Sequence, residues 1–220
     1  MIRKGKVFKC CIIVLVLFGV LFCTMSVKAE TLQKNTFWDE FYSGKFDIMV
    51  EDQNGQDVTK EFLAKTNALY MQKKIQTIKE IMVNSRLRAH IYKVSMPTEN
   101  VFALEKYKIV SDTMIDYFPE DEYNTVMEFN GTLSGGIWYN PNTYEVTRVS
   151  QPTFKVNFMK GPDRVTVFCN NISTSSNVTG GKGYFSASFT CSGQAFIDEA
   201  GVWPIYYDYG RHSMAFYGTP

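Results

Sequence analysis

The stretch Arg164–Cys191, RVTVFCNNISTSSNVTGGKGYFSASFTC, indicates how the second half of this chain folds. From Phe185 to Cys191 every second residue is apolar or cysteine, which is the period of a β-strand with one buried face. Val165–Cys169 alternates in the same way. Between these two strands, the polar run Asn170–Gly183 contains Gly180-Gly181 and is interpreted as a flexible connection.

Similar short runs continue on both sides of this stretch, and turn residues separate them. A series of strands spaced in this way predicts antiparallel sheets, with a β-sandwich-like C-terminal part. The further runs are Phe46–Val50, Leu87–Tyr92, Tyr107–Ser111, Thr125–Thr132, Gly136–Tyr139, Tyr144–Val149, Phe154–Met159 and Ile205–Tyr209.

Residues 58–85 form the one convincing helical stretch. Met71, Ile75, Ile78 and Met82 recur at intervals of four, three and four residues, which is one apolar stripe on a helix. We therefore expect one N-terminal helix packed on an antiparallel sheet. The predicted fold class is α+β and β-rich.

The composition changes near residue 150. Residues 30–147 contain 30 charged residues in 118, whereas residues 148–220 contain 10 in 73. This change suggests an α+β N-terminal part at 30–150 and an all-β C-terminal part at 151–220. One continuous domain fits almost as well.

The first 29 residues have the pattern of a signal peptide. A basic segment with Arg3, Lys4 and Lys9 precedes the apolar run Cys10–Cys23, whose 14 residues are too few to cross a bilayer as a helix. We expect cleavage before Glu30 and a secreted or extracellular protein, which could stay associated with the cell surface. The alternative is that the apolar segment is retained as an anchor, and after cleavage no stable membrane span is expected.

Removing this segment changes the charge of the protein. Five of the 23 Lys and Arg lie in residues 1–29 and none of the 22 Asp and Glu do, so 18 basic and 22 acidic residues remain, a formal charge of −4. A mildly acidic exported chain has no electrostatic basis for binding a phosphate backbone. We therefore expect no nucleic-acid partner.

Two cysteines remain in the mature chain, Cys169 and Cys191. An even pair in an exported protein suggests one disulfide. The alternation of their strands places both sulfur atoms on the apolar side. The alternative is a pair of buried free thiols.

Catalytic signatures are scarce. The chain has two histidines and none of the motifs HExxH, GxSxG or CxxC, so we expect no metal and no cofactor. A secreted hydrolase would have to use His212 with Asp208 or with a carboxylate of the acidic loop Glu120-Asp121-Glu122. The simpler interpretation is a turn at Gly210 and a solvated loop.

Aromatic residues give a stronger signal. Alternation sends Tyr206 and Asp208 to one face of the last strand, while its neighbours Tyr207 and Tyr209 point to the other. Exposed aromatic rings can stack on sugars or anchor protein contacts. The predicted binding residues are Trp203, Tyr206, Tyr217 and Trp138.

Residues 131–152, GTLSGGIWYNPNTYEVTRVSQP, resemble a pattern in small secreted proteins of Gram-positive bacteria. There a hairpin with the pattern G-x-x-Y-(N/D)-x-x-T-G leads into V-(T/S)-x-V-S-x-P. In this chain Tyr144 stands where that pattern has a turn glycine. The resemblance implies an exported protein with an all-β C-terminal part, and it implies no chemistry.

Together these features predict a secreted or cell-surface, non-enzymatic binding protein. The expected partner is a cell-wall glycan or a surface protein. The hydrolase described above is the alternative, and a secreted toxin or an immunity factor is a further one.

Overall fold

The structure does not describe every residue on which a prediction was made. The predicted signal peptide, Trp203, Asp121 and Glu122 lie outside the described residues, and so do the side chains of Glu120 and Phe196. The computed structural model describes residues 36–95, 105–120, 125–196 and 204–220.

The chain divides into two compact units, Met1–Ser43 and Gly44–Pro220. In the first unit residues 36–41 are helical. The Trp38 ring lies 5.2 Å from that of Phe37 and 5.6 Å from that of Phe41, measured between centroids. The elements named below all belong to the second unit.

The helical stretch is two helices where one was expected. Helix α1 spans Thr59–Met71 and helix α2 spans Ile75–Ser85. Lys73 between them has a φ of 57°, in the left-handed region, which ends the first helix. The predicted apolar stripe crosses this break, and Met71 is 82% exposed as a result.

The described residues are β-rich, and the strands pair in an antiparallel manner. Most strands extend beyond the runs seen in the sequence, because backbone pairing continues through polar residues that carry no alternation. The strands are β1 (Asp47–Glu51), β2 (Arg88–Ser95), β3 (Lys106–Glu120), β4 (Thr125–Tyr139), β5 (Val146–Val149), β6 (Thr153–Lys160), β7 (Thr166–Thr179), β8 (Lys182–Phe196) and β9 (Pro204–Gly218).

The first sheet has the order β1-β2-β3-β4-β5, and β6 also pairs with β4. Strand β4 is one continuous strand, where the sequence suggested two separate runs. Strand β6 follows the composition change near residue 150, yet it pairs with a strand that precedes it. The first sheet therefore takes strands from both sides of that change.

The second sheet has the order β7-β8-β9. Its first hairpin turns at Gly180 and Gly181, whose φ angles of 57° and 70° suit a two-residue hairpin turn. The run 170–183 is thus largely strand and not the flexible connection expected from its composition. At Gly210 the expected turn is a β-bulge inside β9, where the pairing with β8 shifts by one residue.

Side chains of both sheets form one hydrophobic core. In β8 the inward residues Phe185, Ala187, Phe189 and Cys191 are at most 2% exposed, as the alternation predicts. From β4, Phe129 places its ring 4.9 Å from that of Phe189. The core residues are Val110, Met114, Phe118, Met127, Phe129, Leu133, Ile137, Tyr139, Val146, Phe185, Ala187, Phe189, Cys191, Tyr209, Met214 and Phe216.

Glycines make room for the Phe185 ring in this core. A Cβ atom on Gly135 would lie 2.1 Å from Cε1 of Phe185. Cβ atoms on Gly183 and Gly218 would each lie 3.2 Å from Cε2 of the same ring. The two sheets therefore approach each other at Phe185 through backbone that carries no side chain.

Candidate functional site

The outer face of β7–β9, on the side away from the core, is an open array of polar side chains. Alternate residues of each strand point outward, and the strand register aligns them in rows across the sheet. We call this array the outer face; its residues are Thr166, Phe168, Asn170, Ser173, Ser175 and Asn177 of β7, Tyr184, Ser186, Ser188, Thr190, Ser192 and Gln194 of β8, and Tyr206, Asp208, Arg211, Ser213, Ala215 and Tyr217 of β9.

Tyrosines stand at both ends of the outer face. Tyr217 is 58% exposed, and its ring centroid lies 5.1 Å from that of Tyr184 on the neighbouring strand. Tyr206, which is 69% exposed, lies opposite Gln194 at the other end. The structure thus places two of the predicted binding residues, Tyr206 and Tyr217, on one surface.

The bulge in β9 is what brings these two tyrosines to the same face. Tyr206 and Tyr217 are eleven positions apart, an odd number, so a regular strand would point them to opposite sides. The register places Asp208 opposite Ser192 and Gly210 opposite Cys191, so the residue between them has no partner on β8. The φ of 83° at Gly210 suits this bulge.

Trp138 does not belong to this surface. It lies in β4 between the core residues Ile137 and Tyr139, so it points to the outer side of the first sheet. Its ring contacts Tyr107, with centroids 4.6 Å apart, and the Arg148 guanidinium lies 4.4 Å from its centroid. Of the four predicted binding residues, Trp138 is the one that the structure places elsewhere, while Trp203 lies outside the described residues.

Serine hydroxyl groups fill the middle of the outer face. Ser173 and Ser188 hydrogen-bond across the strands at 2.8 Å, and the Ser175–Ser186 pair repeats the contact at the same distance. Arg211 donates to the Ser188 hydroxyl at 3.3 Å. The strands thus present a regular set of hydroxyl groups whose positions are defined by cross-strand pairs.

His212 lies beside the core and is not arranged as a catalytic base. Its ring stacks on Phe118 with centroids 3.4 Å apart, and its Nε2 hydrogen-bonds with the carbonyl oxygen of Tyr209. Burial lowers the pKa of His212. Asp208 accepts a hydrogen bond from the Gly210 amide at 2.8 Å. Within the described ranges, no carboxylate hydrogen-bonds with His212, so the His212–Asp208 pair that the hydrolase alternative requires is not formed.

Cys169 and Cys191 are free thiols in the structure, which shows no disulfide between them, so the expected bond stays a prediction. They lie directly opposite each other on β7 and β8, and both face inward as the alternation predicts. Burial raises the pKa of Cys169, and it raises that of Cys191 to about 12. Because the thiolate is the reactive form, both groups are poor nucleophiles in the folded protein.

Differential alkylation would check this thiol state. At pH 8 we expect Cys191 to react with iodoacetamide about 1000-fold more slowly in the native protein than after unfolding, because burial raises its pKa to about 12 and so suppresses its thiolate. Mass spectrometry of the labelled peptides measures both rates. Failure to label either cysteine after unfolding without reductant would show instead that the pair is oxidised.

A charged cluster, missed in the sequence analysis, lies on the inner face of the first sheet. His90 Nδ1 is 2.8 Å from Asp112 Oδ2, and His90 Nε2 is 3.7 Å from Glu51 Oε1. Arg88 Nε lies 2.6 Å from Asp116 Oδ2, and Arg88 Nη1 lies 3.6 Å from Glu51. These contacts are continuous and link β1, β2 and β3. They run from Asp112 through His90, Glu51 and Arg88 to Asp116.

Electrostatics keep His90 protonated at neutral pH. Burial lowers its pKa, but the charges of Asp112 and Glu51, together with the hydrogen bond to Asp112, outweigh this effect and raise the pKa to about 9. Burial also raises the pKa of Asp112, while the neighbouring His90 lowers it. A buried imidazolium held between two carboxylates is not available as a general base at pH 7. The cluster therefore acts as a cross-link between strands.

A signal for this cluster was present in the sequence. Asp112 and Asp116 alternate in phase with Val110, Met114 and Phe118, which are core residues. Acidic residues in the buried phase of a strand require partners. In the described residues, no group of three or more His, Cys, Asp or Glu side chains is arranged to hold a metal ion.

A cavity of about 460 Å³ lies between the end of β9 and strands β1, β2 and β3. Tyr92, Val110 and Phe216 contribute apolar walls, and among the described residues that line the cavity Asp47 supplies the one carboxylate. Because glycoside hydrolysis uses two carboxylates, a single one does not meet the requirement for that chemistry. His212 is not part of the lining.

Comparison with known proteins identified no relative. Neither protein-family models, nor curated protein sequences, nor solved structures gave a match to this chain. In the part of the chain that the structure describes, no helix is both long enough and apolar enough to span a membrane.

Proposed function

We propose that this protein is an exported, non-enzymatic binding module that holds a glycan on the outer face of β7–β9. The observation that carries the proposal is the position of Tyr206 and Tyr217, which are exposed on the same face although they are eleven residues apart. Exposed tyrosine rings offer flat amphipathic area at a small cost in side-chain entropy. The serine hydroxyls between them can hydrogen-bond with sugar hydroxyls.

The rest of the fold supports this choice of surface. The two sheets share one core, which favours a sandwich-like arrangement. Lys79 of α2 donates to Glu128 of β4 at 2.7 Å, and the Val50 amide of β1 donates to Thr59 of α1 at 2.8 Å. These contacts favour helices packed on the outer side of the first sheet, whereas Tyr206 and Tyr217 leave the outer face of β7–β9 exposed to a ligand.

Export is part of the proposal and rests on the N-terminal sequence. The basic segment followed by a 14-residue apolar run is the support for it. Because an exported protein meets the cell wall, a cell-wall glycan is the proposed partner. The hydrolase alternative has weaker support, because His212 packs on Phe118 and hydrogen-bonds with a backbone carbonyl.

Cosedimentation with purified cell walls and insoluble polysaccharides tests this function. We expect saturable binding, and we expect Tyr206→Ala to weaken it about tenfold through the lost stacking area. Tyr144→Ala is the matched control, since Tyr144 is 67% exposed but lies outside the outer face. Absence of binding to every wall and polysaccharide would exclude the glycan, and attention would move to a protein partner.

A further inference from the structure

We infer that the ligand of the outer face is an uncharged, extended polysaccharide chain that runs along the strands and contacts both aromatic ends at once. This inference rests on the proposed function and names the class of glycan. It follows from the charge of the face, the arrangement of its hydroxyl groups, and the separation of its aromatic residues.

The outer face has almost no charge to offer an ionic ligand. Asp208 and Arg211 are its charged residues, with opposite signs, and Lys182 follows beyond the Tyr184 row. Asp208 already accepts from the Gly210 amide, and Arg211 already donates to Ser188. A glycan with carboxylate or phosphate groups would lose hydration here and gain little attraction, whereas a neutral glycan loses no ionic hydration.

The aromatic residues lie at opposite ends of the strands. One end holds the Tyr184–Tyr217 pair, and the other holds Tyr206, with Phe168 41% exposed in the adjacent row. Ten residues of β8 separate the two end rows, a distance of about 34 Å at the usual rise of a strand. A single sugar or disaccharide cannot reach both ends.

Hydroxyl groups continue along the line that joins the two ends. Ser186, Ser188, Thr190 and Ser192 follow one another on the outer side of β8, and the cross-strand pairs at 2.8 Å keep two of these serines in place. The strip is about three strands wide, roughly 10 Å. Its shape suits one extended chain lying parallel to the strands.

The test compares neutral and anionic derivatives of the same polysaccharide. Binding of the full protein to hydroxyethyl cellulose and carboxymethyl cellulose, and to glycol chitin and carboxymethyl chitin, is measured by isothermal titration calorimetry. We expect the neutral derivative of at least one pair to bind, its anionic counterpart to bind at least tenfold more weakly, and the neutral complex to be insensitive to NaCl. Cellobiose and chitobiose should not compete.

Two variants test whether one chain contacts both ends. If it does, Tyr206→Ala and Tyr217→Ala each raise the dissociation constant for the neutral polymer about tenfold and leave the stoichiometry unchanged. Halved stoichiometry with an unchanged dissociation constant would show two separate short sites and overturn the inference. Tighter binding of the anionic derivative would also overturn it.

These outcomes separate the inference from the proposed function. Binding of an anionic glycan that Tyr206→Ala weakens would keep the glycan function and reject the neutral class. Absence of binding to any of the four polymers and to purified cell walls would reject both. Tyr144→Ala again serves as the control, and its affinity should equal that of the unmodified protein.

Discussion

Asp112→Ala should lower the free energy of unfolding by about 3–5 kcal/mol at pH 7, because it leaves the buried His90 without its closest carboxylate. The replaced contact is the 2.8 Å pair between His90 Nδ1 and Asp112 Oδ2, in which the Asp112 side chain is fully buried. Urea unfolding followed by circular dichroism measures the loss. Replacing His90 and Asp112 together by Leu and Val should recover most of it, since no buried charge is then unpaired.

The pH dependence gives this prediction a definite sign. The pKa of His90 is 6.5 in the unfolded chain and about 9 in the folded protein. The stabilising contribution, about 3 kcal/mol for a shift of this size, is therefore complete below pH 6.5 and is lost as the pH rises through 9. In Asp112→Asn the contribution should be smaller and its loss should be complete at a lower pH, because the charge that raises the folded-state pKa of His90 is gone.

His90→Gln is the control for groups that titrate in the same range. Its unfolding free energy should change little between pH 7 and pH 9.5 compared with that of the unmodified protein. Equal slopes in the two proteins would show that His90 is not the titrating group. They would contradict the assignment of an imidazolium to the cluster.

Gly135→Val should lower the free energy of unfolding by about 3 kcal/mol, because it forces a side chain into the space that the Phe185 ring occupies. The new Cβ atom would lie 2.1 Å from that ring, which is fully buried and stacks on Phe216 at 5.3 Å. The ring therefore has no free direction in which to move. Thermal and urea unfolding measure the effect.

A double-mutant cycle assigns the effect to this contact. Phe185→Ala alone should cost about 3–5 kcal/mol through the cavity it leaves. In the combined variant Gly135→Val, Phe185→Ala, the new valine fills part of that cavity, so the total cost should fall below the sum by at least about 1 kcal/mol. Ser134→Val, on the opposite side of β4, is the control and should change stability little.

Much of the strand structure could be predicted from local alternation. Phe185 and Phe189 are buried and Tyr206 is exposed, as the two-residue period indicates. Alternation also placed Cys169 and Cys191 on the inner side correctly. Alternation did not predict a strand at Asn170–Thr179, because the polar residues of this edge strand show no apolar period. The segment is a strand because its backbone pairs with β8.

The candidate site was predicted in part. Tyr206 and Tyr217 were expected to bind a partner, and both are exposed on one face. Trp138 was included with them because of its residue type, but its ring packs between Tyr107 and Arg148 on another sheet. Residue type identifies a ring suited to stacking, whereas the sheet that carries it depends on pairing between distant strands.

By itself the sequence determined the two-residue period of the alternating strands, the inward side of residues such as Phe185 and Phe189, and the signal-peptide pattern at the N-terminus. These properties depend on neighbouring residues only. The pairing of β6 with β4, the contact of His90 with Asp112, and the bulge at Gly210 were decided by the tertiary structure. Each depends on the energy of contacts between distant segments, and a shift of one residue in register reverses the face of every residue beyond it. For this reason only the folded sheet shows that Tyr206 and Tyr217 share a surface.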